Sequence, residues 1–170
     1  MVRPLVVMLA LLALTGCTGD HSSAAGPSFY RDLAEPGVEL DASAAASMIS
    51  GYRTNNGLPA VTLDPGLTRL AEAQATIMAR RDQLDHSAGR PFVARLRASV
   101  YDAKSAAENI GAGYHTLAEA FSGWRDSAPH RANMLLAGAT RIGIAAIYTP
   151  ASKYKVYWAL ILAEPGDKKG

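Results

Sequence analysis

Residues 105–136 read SAAENIGAGYHTLAEAFSGWRDSAPHRANMLL, and their pattern decides how the rest of the chain is arranged. Glu108 and Asn109 stand inside a short apolar run that reads as a strand from Lys104 to Ala112. A carboxylate there is rare without a partner. Glu108 therefore either faces a cleft or accepts backbone or arginine hydrogen bonds that pin a loop. Thr116-Leu117-Ala118-Glu119 forms a capping box, opening a helix whose apolar face is Leu117, Ala120, Phe121 and Trp124. The box gives Glu119 a local duty, and His115 just before it reads as a surface residue. Ser127-Ala128-Pro129 restarts a short helix with Ser127 as its cap, which places His130 in a first turn. Asn133 is suited to holding a neighbouring loop through its amide.

Upstream, Asp64 and Pro65 give the clearest helix start in the chain, a cap followed by a proline at the first position. The pattern runs to about Gln83, with Leu67, Leu70, Ala71, Ile77 and Met78 as its apolar stripe. His86 follows directly, where a histidine often does no more than complement the helix dipole. An earlier helix begins after Asp41 and buries Ala45, Met48, Ile49 and Tyr52 at helical spacing. Asn55-Asn56-Gly57 ends it and Pro59 prevents its resumption. Pro91 to Ala98 reads as a short helix carrying Arg95 and Arg97. Downstream, Ile142, Ile144 and Ala146 alternate on one strand and Val156, Trp158, Leu160 and Leu162 on another. Thr149 to Lys153 makes the turn between them. Helices, a strand, helices and a long hairpin predict an α+β domain in which helices cover an antiparallel sheet.

Composition narrows the function. The 170 residues are 49% hydrophobic and 19% charged, a globular rather than a disordered balance. Met1 to Cys17, MVRPLVVMLALLALTGC, has Arg3 as a basic start and an apolar run of about ten residues, too short for a bilayer that needs about 20. It reads as a secretory signal ending in Leu14-Thr15-Gly16-Cys17, which resembles a bacterial lipobox. Cys17, the sole cysteine, becomes the lipid-modified first residue and the membrane anchor. Thr18 after it favours the outer over the inner membrane. Removing Arg3 with the leader leaves 16 basic residues against 15 acidic ones, which argues against nucleic acid as a partner. The chain divides into a leader at 1–16, a flexible tether at 17–41, a domain at 42–164 and a polar tail at 165–170. Nothing in the sequence sets an oligomeric state.

Familiar chemistries are missing: there is no nucleophile elbow, no H-E-x-x-H zinc helix and no P-loop. What remains is His86, Glu108 and His130, spaced 22 residues apart each way. Two imidazoles and a carboxylate can hold a divalent metal with open positions, zinc foremost, or support general acid–base work. Metal binding through them should weaken as pH falls through about 6.5, the ordinary imidazole pKa.

GLPAVTLDPGLTRLAEAQATIMARRDQLDHS, then AAENIGAG, then W-x-x-S-x-P-H-R-A-N-M-L, then RIGIA, together resemble the CAP (SCP/PR-1-like) domain in its short bacterial form. The resemblance runs from about Ala42 to Ala163. It implies a three-layer α-β-α sandwich with a central antiparallel sheet, and a cleft lined by a His/Glu tetrad. His86 and His130 match the family's two histidines and Glu108 the glutamate of its E-N motif. Ser127 stands where many members have a second glutamate, and the usual disulfides are missing. Together with the lipobox-like segment, the resemblance implies an envelope-anchored binding module rather than an enzyme, for a divalent metal or for a lipid or cell-envelope ligand. A metal-assisted hydrolase of peptide or cell-wall material is the alternative.

Overall fold

The computed structural model describes residues 26–99 and 101–167, so the leader, Cys17 and the end of the polar tail lie outside the described residues. Five α-helices and four strands are seen among them. Helix α1 spans Ala42–Asn55, α2 Pro65–Arg81, α3 Phe92–Ala98, α4 Leu117–Asp126 and α5 Ala128–Met134. The strands are β1 Thr62–Leu63, β2 Ala103–Ala112, β3 Arg141–Tyr148 and β4 Val156–Pro165.

The helix starts follow the capping residues read from the sequence. Asp41 accepts from the Ala44 N–H, and Asp64 from the N–H groups of Gly66 and Leu67. Both halves of the Thr116–Glu119 capping box are formed. Helix α2 stops at Arg81, two residues before the expected Gln83, because Asp82 turns into the left-handed region with φ 51°. The Asp82 carboxylate there accepts the Lys153 N–H and the Tyr157 hydroxyl, so the helix end is tied to the β3–β4 hairpin rather than extended.

The sheet order is β1-β3-β4-β2. Strand β4 is central and antiparallel to both β2 and β3, with Glu108 opposite Ile161 and Ile144 opposite Leu160. A short strand adds to the expected antiparallel sheet. Thr62 and Leu63 pair parallel with Arg141 and Ile142 at the edge, and two residues are too few to leave a period in the sequence. Alternation on β4 divides the core. Val156, Trp158, Leu160 and Leu162 pack with residues of α1, α4 and α5, while Tyr157, Ala159, Ile161 and Ala163 pack with α2. Helices on both faces of one sheet give the three-layer α-β-α arrangement.

Part of the segment expected as free tether is packed. Ser28–Tyr30 forms a 3-10 turn, Leu33 is buried, and its N–H donates to the His115 carbonyl at 2.8 Å. Phe29, Val38 and Leu40 rest on the same cluster as α1. Their scattered apolar side chains have no helical or strand period, so nothing local decides their docking.

Candidate functional site

The site is assembled by three elements that each contribute from an end or an edge. The chain leaving α2 brings His86, β2 brings Glu108 and α5 brings His130. Glu108 has a side chain only 2% exposed, and its Oε1 lies 2.9 Å from His86 Nδ1. His86 itself is half exposed, so its ring spans from the buried carboxylate to solvent. His130 is partly buried in the first turn of α5. Its pKa is pushed below the ordinary 6.5, first by burial and then by the nearby charge of His86. His130 therefore favours the neutral ring at neutral pH.

Asparagines hold this geometry. Asn133 Nδ2 donates to the Glu108 carbonyl at 3.1 Å and to Asn109 Oδ1 at 2.9 Å. Asn109 Nδ2 in turn donates to the His130 carbonyl at 2.9 Å. Strand β2 is thereby tied to the start and the end of α5, so Asn133 holds a strand rather than the loop expected of it. Helix α4 is fixed to the same strand, since Trp124 Nε1 donates to the Ile110 carbonyl at 3.0 Å. Arg53, buried to 0% exposure, donates to the carbonyls of Pro59, Met134, Leu136 and Ala139. It stitches α1 to the loop that follows His130's helix, and nothing in its sequence context marked it as a core residue.

Arg95 is the site residue that sequence reasoning passed over as part of a polar helix face. Its Nη2 lies 2.9 and 2.7 Å from the two Glu108 oxygens. The available signal was the buried glutamate itself, which needs a cation or several donors. Ser127 occupies the N-cap of α5 as expected, but its hydroxyl makes no capping bond. Among the described residues, no three His, Cys, Asp or Glu side chains form a ready metal cluster. With Glu108 held by Arg95, the uncommitted donors are the His86 Nε2 and the imidazole of His130.

The model of the cysteine-rich secretory protein family, CAP, matches residues 46–162. The chain belongs to the CAP family. A relative in Bacillus subtilis (strain 168), described as uncharacterized protein YkwD, is 31% identical over 100 residues. Those residues are 57% of this chain but only 38% of that protein, so the chain spans well under half of that relative's length. Among solved structures, an extracellular protein containing a SCP domain from Bacillus anthracis aligns with a TM-score of 0.63 at 20% identity, over 72% of this chain and 39% of that one. An outer surface protein from Borrelia burgdorferi aligns with a TM-score of 0.67 at 16% identity, over 74% and 93%. At those identities the likeness concerns the fold alone. As a CAP domain this chain departs from the family's descriptive name, because its only cysteine is Cys17. No disulfide can form within the domain, and packing and hydrogen bonds hold it.

Proposed function

We propose that this CAP domain is a non-enzymatic binding module of the cell envelope, anchored by a lipid on Cys17, whose cleft holds a divalent cation weakly through His86 and His130. The observation that carries the reading is the contact between His86 Nδ1 and the buried Glu108 carboxylate. A carboxylate that accepts from one ring nitrogen orients the other as a metal ligand, a pattern common behind zinc-bound histidines. His130 fits the same role, because its burial favours the neutral ring that can ligate. Two nitrogen donors leave exchangeable positions for water or for a small ligand, and zinc suits imidazole ligands. Bound zinc would supply Lewis acidity. The chain's own contribution is to hold both rings and to shield Glu108 from solvent. Metal-assisted hydrolysis is the weaker alternative: it needs a base for water, and the site's one carboxylate is already engaged by Arg95 and His86.

The envelope location rests on the lipobox-like Leu14-Thr15-Gly16-Cys17. It agrees with relatives described as an extracellular protein and an outer surface protein. Metabolic labelling with a fatty acid tests the anchor, with Cys17→Ser as control. The wild type should incorporate label and the variant should not; an unlabelled wild type would remove the anchor. Native mass spectrometry of the protein purified from its own envelope tests the binding role. A retained metal or lipid is expected, and a bare chain under gentle extraction would count against it.

A further inference from the structure

Helix α3 places Arg95 against the site from the side opposite α5, and its contacts there are too specific for a solvated face. The side chain is 11% exposed. Nη2 reaches both oxygens of Glu108 and lies 3.3 Å from the His86 carbonyl, while Nε donates to the Arg90 carbonyl at 3.1 Å. The guanidinium also sits over the Phe92 ring, 5.4 Å from its centroid. One cation thus touches the carboxylate, the backbone of the histidine that the carboxylate orients, and the loop between them.

We propose that Arg95 is a positioning residue of the cleft, which fixes the tautomer of His86 by clamping Glu108. Two contacts to one carboxylate stop it from rotating, leaving Oε1 aimed at His86 Nδ1. An ionised carboxylate can only accept, so the proton sits on Nδ1 and the lone pair on Nε2 of the half-exposed ring. Arg95 also offsets the charge of Glu108, so the cleft presents nitrogen donors rather than a free carboxylate. Through Glu108 the arginine holds the His86 ring from behind. A half-exposed imidazole without a fixed acceptor would exchange between tautomers and present a ligating Nε2 only part of the time.

The proposal deepens the two-histidine reading and rests on it only for its zinc arm. The test is the ring nitrogen shifts of His86 in the 15N-labelled, detergent-solubilised full chain without metal, for the wild type, Arg95→Met and Arg97→Met. Arg97 lies exposed on the same helix and controls for loss of charge there. The wild type and Arg97→Met should show a protonated Nδ1 and a bare Nε2, and Arg95→Met should show averaged tautomers. Zinc should bind Arg95→Met about tenfold more weakly, the lower end of what losing such an outer partner costs. A wild-type His86 with its proton on Nε2 overturns the proposal, even if Arg95→Met does not fold. So does a folded Arg95→Met with unchanged tautomer. The expected tautomers with no zinc binding by the wild type would support Arg95's role and overturn the metal reading alone.

Discussion

At the scale of single residues, burial sets the cost of change. Among the described residues Arg53 meets no carboxylate, and four carbonyl oxygens compensate its burial. Desolvation accordingly pulls its pKa down. Arg53→Met should cost about 3 kcal/mol or more, since each buried acceptor left unpaired costs about 1–3 kcal/mol, and urea unfolding would measure it. His130 gives the chain an acid sensitivity of known sign. Its folded pKa lies below the ordinary 6.5, so the unfolded chain takes up the proton first as pH falls. This contribution to stability is intact above about pH 6.5 and is lost as pH drops through the lower folded value. His130→Gln should flatten that part of a melting-temperature profile; an unchanged slope would assign the sensitivity to other groups. Glu108 stood out because a carboxylate in an apolar run demands a reason, whereas His86 was drawn to it chiefly by the resemblance to the CAP domain. Arg53 and Arg95 were not legible, because arginines on amphipathic helices look the same whether they snorkel to water or turn inward.

At the scale of elements, two close approaches hold the layers. Gly143 on β3 lies against α2, where an added Cβ would overlap the backbone of Leu67 and Thr68. Backbone cannot step aside as a side chain can, so Gly143→Ala should cost about 1–3 kcal/mol. A denaturation midpoint equal to that of the wild type would mean that the two elements are not in contact. On the other face, Trp124 is 1% exposed and meets Trp158 edge-on with ring centroids 6.2 Å apart. Trp124→Ala should cost about 3–5 kcal/mol. Trp124→Phe keeps most of the packing but leaves the Ile110 carbonyl unpaired, costing about 1–3 kcal/mol. Calorimetric melting of the pair separates the ring's packing from its hydrogen bond. The helix starts and the β3–β4 hairpin were readable because capping residues and alternation are local signals. The parallel edge strand β1 was not, since its pairing with β3 joins residues 79 positions apart in sequence.

At the scale of the whole molecule, the three layers place the site at helix ends and on an edge strand rather than in the middle of a core. The chain after α2 arrives from one layer, α5 lies in another, and β2 between them supplies the carboxylate. An open β2 edge is partly closed by the same residues that serve the site, Asn133 and Trp124, each bonding an outward carbonyl. Stability and site geometry are therefore coupled, and loosening α5 should disturb His130 before it unfolds the sheet. The most direct test is calorimetric titration of zinc into the detergent-solubilised full chain at about pH 7.5 and about pH 5.5, with His86→Ala and His130→Ala alongside. Weak binding at the higher pH, much reduced at the lower pH and in each variant, is the expected result. Equal binding by the wild type and both variants, or no binding by the wild type at either pH, would show that the two imidazoles do not form a metal site.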